Sequence, residues 1–381
     1  MIAFFLWPCI LQSQLGFMMR SAGLDWTGSR AGRFTDGFMS AWGEETKYFF
    51  DLRPEIILEC VEEAGIATTG RCLQRNSMEN RVYEVELDLD AIPDDRSQAF
   101  RIVKFYRPGR WTREQILEEH SFLLELHQNE IPCTIPLPFP DGETLHTAAA
   151  SGIHFSLFAR VGGRQLDETN GEQLEQLGRL LARVHNVGEA RQAEHRIQLS
   201  EETYGLSNLK YLMDHKFVPG NMVTRYQRLV ESICATYADL MAEFSRPSEF
   251  LPGLARIRLH GDCHPGNILW TGTGPFLIDF DDMVSGPPIQ DLWLACPDLT
   301  AFDALLVGYE QMRDFDRRSV RLIEPLRALR YVHFSAWIAR RFEDPAFPAS
   351  FPHFGTEGYW LEQINDLEDQ VERIESGNEA F

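Results

Sequence analysis

Hydrophobic and polar positions alternate over Arg81 to Leu89, where Val82, Glu84 and Glu86 oppose Tyr83, Val85 and Leu87. The run Phe100 to Tyr106, F-R-I-V-K-F-Y, has the same strand-like character. Ahead of them, Leu52 to Ala64, with Pro54 near its start and Gly65 after its end, has the punctuation of a short amphipathic helix. After them, Thr112 to Gln128 puts Ile116, Glu119, Leu123 and Leu126 on one helical face, with Thr112 as N-cap and Glu114 and Gln115 in the first turn. Pro-rich Ile131 to Asp141 predicts a connector and Ile153 to Val161 a further apolar strand, which Gly162-Gly163 breaks at a natural hinge. From there the period turns helical: Leu174 to Val187, Tyr226 to Phe244, a helix starting near Pro287, and Val320 to Phe342. The pattern predicts an α+β chain, with a small antiparallel-sheet part over residues 49–160 carrying one main helix and a larger, mostly helical part over residues 161–381.

One stretch interrupts the helical half. Ile257 to Asp282 reads I-R-L-H-G-D-C-H-P-G-N-I-L-W-T-G-T-G-P-F-L-I-D-F-D-D, a strand, a Gly- and Pro-rich turn, and a second strand ending in carboxylates. Asp262 and Asn267 have the D-x-x-x-x-N spacing of a kinase-type catalytic loop, and Asp279 ends the next strand as the Asp of D-F-G does. A hydroxyl acceptor needs a carboxylate to orient it and take its proton, which suits Asp262. Mg2+ on nucleotide phosphates takes hard oxygen ligands, which suits Asn267 and Asp279. Asp262 and Asp279 are thus the candidate catalytic residues. A metal hydrolase with His260, His264, Asp262, Asp279, Asp281 and Asp282 as ligands is a rival reading, in which Asn267 has no task.

Lys104 lies mid-strand among Phe100, Ile102 and Phe105, where a lone ammonium is expensive to bury, so it is the candidate phosphate lysine. Glu119, the acid on the apolar face of the next helix, is its expected partner, with Glu118 as the alternative. Leu73 to Tyr83 stands where a phosphate-covering loop belongs but lacks the G-x-G-x-x-G glycines. Asn76, Ser77 and Asn80 are its candidate phosphate donors, and a plain polar hairpin is the other reading. Asp291 either caps the helix beginning near Pro287 or reaches back to the catalytic loop, and His185 reads as packed or capping rather than catalytic. Arg327, Arg330, Arg340 and Arg341 either line a substrate groove or are solvated.

A net charge of −21 argues against general nucleic-acid binding. Ile2 to Leu11 is apolar but broken by Pro8, has no basic lead and is too short to span a bilayer, and the four arginines exclude Val320 to Phe342 as a span. The seven cysteines are scattered, with no C-x-x-C pair, which fits reduced thiols in the cytosol. Cys263 is either a redox-sensitive or a buried structural thiol. Residues 1–48 are expected to form a poorly ordered extension, with Met39 a candidate start of the native chain.

The H-G-D-C-H-P-G-N-I-L-W loop and the D-F-D-D segment resemble the aminoglycoside phosphotransferase and choline kinase group of the protein-kinase-like fold. S-M-E-N-R-V-Y, V-K-F-Y-R-P-G-R-W, I-L-E-E-H, V-G-G-R-Q, I-E-P-L-R-A-L-R and D-P-A-F-P are similar to a bacterial stress-response kinase family within it, a likeness spanning Phe49 to Leu361. The resemblance implies a bilobal fold and a cytoplasmic, monomeric serine/threonine kinase that uses ATP and Mg2+, phosphorylates protein and supports survival under envelope or oxidative stress. It implies Asp262 as proton acceptor, Asn267 and Asp279 as Mg2+ ligands, and Ser77 as an ATP contact. A kinase of small-molecule hydroxyls (aminoglycoside, choline or homoserine) and a pseudokinase scaffold remain alternatives, the scaffold having no need of Lys104, Asp262, Asn267 and Asp279 together.

Overall fold

The computed structural model describes residue 49 and residues 52–75, 77–90, 93–166, 168–247, 252–296 and 298–377. The expected N-terminal extension, Met39 and Asn76 lie outside the described residues. The first half contains α1 (Pro54–Glu62), β1 (Thr68–Arg75), β2 (Arg81–Leu87), β3 (Phe100–Phe105), α2 (Arg113–Gln128), β4 (Pro136–Leu137), β5 (His146–Thr147) and β6 (His154–Ala159). The strands form one antiparallel sheet in the order β1-β2-β3-β6-β4, with β5 also on β6.

Strand alternation gives this sheet two working faces. Val103 and Phe105 of β3 join Val85, Phe155 and Leu157 against Ile57, Cys60 and Val61 of α1. Each such fully buried side chain contributes about 1.5–3 kcal/mol of apolar transfer. Lys104, between them, therefore faces the other way, toward α2. Thr112 caps α2 through a box with Gln115, as its sequence promises. Phe122, Leu123 and Leu126 of α2, together with Phe158, belong instead to the larger cluster formed by the helical half.

That half contains α3 (Gly171–Ala190), α4 (Ser207–Asp214), α5 (Val223–Phe244), β7 (Ile257–Leu259), β8 (Ile268–Thr271), β9 (Gly274–Leu277), β10 (Val284–Gly286), α6 (Ile289–Leu294), α7 (Leu299–Tyr309), α8 (Ile323–Arg341), α9 (Ala346–Ser350) and α10 (Glu357–Ser376). β7 pairs with β10 and β8 with β9, both antiparallel. Gly188 lets α3 approach β7, since a Cβ there would sit 2.2 Å from the Arg258 carbonyl oxygen. Among the described residues, no helix is long and apolar enough to cross a membrane.

Four expectations are corrected. The connector Ile131 to Asp141 contains the edge strand β4, a position where Pro136 needs no N–H for the ladder. Leu73 to Arg75 belong to β1, so the turn between β1 and β2 is shorter than the loop inferred from sequence. The stretch between the strands flanking the catalytic loop contains a third strand, β8, and β9 ends at Leu277, two residues before Asp279. α8 begins only at Ile323, because Asp316 caps a separate 3-10 turn, Arg317–Leu322, ahead of it.

Candidate active site

The loop after β7 turns at Gly261, where φ is +85° and a Cβ would meet the Asp282 carbonyl oxygen at 2.0 Å. Its backbone is held from below. The N–H groups of His260 and Gly261 donate to the two carboxylate oxygens of Asp291, each at 2.9 Å. Of the two readings of Asp291, the geometry selects the one in which it holds the loop. His185 on α3 packs beside it, 3.3 Å from Asp291 Oδ2 and 2.8 Å from the Tyr309 hydroxyl, so it is a buried brace, as expected. The His260 ring ties the loop to the other strand, Nε2 donating to the Ile278 carbonyl at 2.9 Å while Nδ1 accepts from the Asp262 N–H at 3.3 Å.

On this frame the nearly buried Asp262 carboxylate meets two basic side chains. Oδ1 accepts from Arg330 Nη2 at 2.7 Å, and Oδ2 lies 3.4 Å from His264 Nε2. Burial alone would raise its pKa, but the Arg330 guanidinium and His264 outweigh burial and hold the carboxyl well below its ordinary range. Asn267 donates its amide N–H to the Asp262 main-chain carbonyl at 2.9 Å, which leaves the amide oxygen as the atom able to meet a cation. Asp279 adopts the left-handed region at φ 60°, a conformation costing about 1–3 kcal/mol in a non-glycine residue. Its carboxylate is 54% exposed and stands 3.7 Å from Lys104, so an oxygen-seeking cation can still reach it.

Lys104 lies 3.7 Å from Glu119, as the sequence suggests, but its nearest partner is Asp281 at 2.8 Å. Burial works against the ammonium, yet Asp281, Glu119 and Asp279 raise its pKa well above the ordinary lysine value. Glu119 also receives Arg196 at 2.6 Å. Glu118 does something else: it accepts the main-chain N–H groups of Glu194, His195 and Arg196, fastening the segment after α3. Glu119→Gln is therefore expected to weaken ATP use more than folding, and Glu118→Gln the reverse. Turnover and denaturant midpoint measured on both variants check this, and an unchanged Glu119→Gln beside a dead Glu118→Gln would reverse the assignment.

Ser77 Oγ accepts from the Asn80 N–H at 3.3 Å and closes the turn between β1 and β2. Asn80 is buried with Oδ1 on the Arg107 N–H at 3.0 Å, so it scaffolds this turn rather than offering that oxygen to a ligand. Sequence reasoning missed Glu79, the centre of the turn's charge network. Its carboxylate takes Arg107 at 3.1 Å, Arg110 at 3.2 Å, Arg341 at 2.8 Å and the Trp337 indole N–H. Arg107 and Arg81 meet Asp344 at 3.1 and 3.6 Å. Arg110 also pairs with Asp281 at 2.6 Å and with Asp282. Arg110 and D-F-D-D stand far apart in the chain, so no local signal marked this network.

These pairings leave little of the rival metal-hydrolase set. Asp281 and Asp282 are taken by Lys104 and Arg110, and His260 by the backbone. Among the described residues no three His, Cys, Asp or Glu side chains gather to hold an ion. Cys263 is buried, and burial, followed by Asp291 and Asp262, pushes its thiol well up, which supports the structural reading.

Known proteins resemble this chain in sequence and in fold. The sequence pattern of the Phosphotransferase enzyme family (APH) matches residues 73–323. Stress response kinase A of Escherichia coli (strain K12) is 37% identical over 333 residues, 86% of this chain and 95% of the relative. Serine/threonine protein kinase RdoA of Salmonella typhimurium (strain LT2) is 37% identical over 328 residues, 85% of this chain and 94% of its own. Among solved structures, the amicoumacin kinase hAmiN in complex with AMP-PNP, Ca2+ and Ami superposes with a TM-score of 0.59 at 18% identity, over 82% of this chain and 95% of that one. The microcompartment-associated aminopropanol kinase gives 0.60 at 18% identity, over 86% and 99%. These two share the protein-kinase-like fold expected from the sequence. The chain belongs to the phosphotransferase enzyme (APH) family, in the branch of stress response kinase A, and is a kinase.

Proposed function

We propose that this kinase transfers the γ-phosphoryl group of ATP, with Mg2+, to serine or threonine hydroxyls of proteins in a bacterial stress response, in the cytoplasm. The observation that carries the reading is the ionised Asp262 carboxylate beside Asn267, on a loop braced by Asp291. Asp262 orients the acceptor hydroxyl and takes its proton as the new P–O bond forms and the bond to the ADP oxygen breaks. Lys104, kept charged by Asp281 and Glu119, meets the phosphates, and Ser77 contacts them from the turn. Mg2+, held by the oxygens of Asn267 and Asp279, would neutralise phosphate charge. The residues present fit it, since one ligand is an oriented amide oxygen and the other an accessible carboxylate.

The same proposal divides the chain into a nucleotide-binding part, residues 49–160, and a catalytic and substrate part, residues 161–381. The α1-side cluster, confined to the first part, supports it, while α2 packs Phe122, Leu123 and Leu126 into the helical cluster.

The test is radiolabelled ATP given to the protein alone, with a generic basic protein, and with a panel of small alcohols, across a magnesium titration. We expect label on protein hydroxyls, partial rescue of Asn267→Ala by raised Mg2+, and almost none for Asp279→Ala, whose charge is lost. Label on a small alcohol alone would replace the protein acceptor. Equal responses of the two variants would overturn the ligand assignment.

A further inference from the structure

Beyond Asp262, one face of α8 carries Arg330, His333, Trp337, Arg340 and Arg341 at helical spacing. Arg330 is joined to Asp262 and Arg341 to Glu79. Arg340 differs from both. It is half-buried, its guanidinium carbon lies 4.6 Å from the centre of the Tyr211 ring, and no carboxylate of the described residues is within ion-pair reach of it. Burial pushes its pKa down, opposed only by Tyr211. Nearby, His333 stacks on Tyr204 at 4.4 Å, and burial pushes it down to about 3, with Arg340, Arg330, Arg110 and Arg341 adding to the effect. Arg330, Arg110 and Arg341 are paired with carboxylates and Glu343 also acts on the Tyr211 ring, so the cation open to a ligand here is Arg340 itself. A half-buried cation without a counter-ion favours an incoming anion.

Distance narrows what that anion belongs to. Ten residues of α-helix rise about 15 Å, and an extended polypeptide advances about 3.3 Å per residue. An acceptor hydroxyl at Asp262 and an anion at Arg340 are therefore about four or five residues apart on an extended chain, farther than a small alcohol reaches. We infer that Arg340 is a specificity residue for an acidic peptide segment: it receives an Asp, Glu or phosphorylated side chain about four or five residues from the serine or threonine that is phosphorylated. This rests on the protein-kinase reading above.

The test uses the full chain and peptides with one serine in an uncharged background, a single glutamate being walked from two to eight positions away on either side. With wild type we expect kcat/KM to rise about tenfold, equivalent to about 1.4 kcal/mol, when the glutamate stands four or five residues away on one side. Arg340→Gln should flatten the profile and Arg340→Lys restore part of it. Each value is a ratio between two peptides on one preparation, so incomplete folding of a variant does not alter it. A flat wild-type profile, or the same peak in Arg340→Gln, overturns the inference and leaves the protein-kinase reading standing. Phosphorylation of small alcohols with no peptide turned over at all refutes both.

Discussion

Asp262→Asn should lower phosphotransfer by about 100- to 10,000-fold, the usual range of a general-base contribution, while ATP affinity changes little. The substitution preserves shape, and its amide oxygen can still meet Arg330, but the group that takes the hydroxyl proton is gone. Phosphoryl transfer with a loose transition state asks little base strength, so most of the loss would come from a poorly oriented acceptor. Asp262 is held ionised by Arg330 at 2.7 Å and has no contact with Lys104 or Glu119, which is why nucleotide binding should survive. Calorimetry of ATP binding beside phosphotransfer to protein, in wild type and variant, decides it. Loss of both together would remove Asp262 from the acceptor role, and retained phosphotransfer would remove the loop from catalysis.

Asp291→Ala should do damage of another kind. The carboxylate is fully buried and receives the N–H groups of His260 and Gly261, with His185 alongside. Truncation leaves two buried donors unsatisfied and withdraws the charge they share, a loss of about 3–5 kcal/mol by comparison with other broken buried charge contacts. Asp291→Asn should be only slightly milder, because its NH2 group would face one of the two donors. A fall in the denaturant midpoint, with turnover per folded molecule also reduced, is the expected result. A variant as stable and as active as wild type would show that the loop keeps its shape without this brace.

Much of this was legible in the chain because it depends on local period or fixed spacing. The capped helix from Thr112, the alternation that isolates Lys104 on β3, and the five-residue step from Asp262 to Asn267 all lie within one element or loop. Glu119 could be chosen over Glu118 because helical spacing alone puts it on the apolar face. What stayed hidden were partners brought in by tertiary approach. Nothing local to Asp262 names Arg330, a residue on a different helix, and nothing local to Asp291 says whether it caps its own helix or reaches across to β7. Asp281 was hidden for a different reason. In a run of three carboxylates, only the backbone turn at Asp279 determines which one meets Lys104 most closely.

The contacts around Glu79 also bind the sheet to the far end of α8. Arg107 and Arg110 belong to the segment after β3 and travel with the sheet, so their bonds to Glu79 survive any motion that parts the sheet from α8. Those that must break are Glu79 with Trp337 and Arg341, and Arg107 and Arg81 with Asp344: an acid on each side facing cations on the other. This reciprocal clasp adds to the bonds of Arg110 and Lys104 with Asp281, which tie the same sheet to the D-F-D-D turn. Because these pairs are nearly buried, dissolved salt screens them little, and the clasp should persist at ionic strengths that loosen exposed ion pairs.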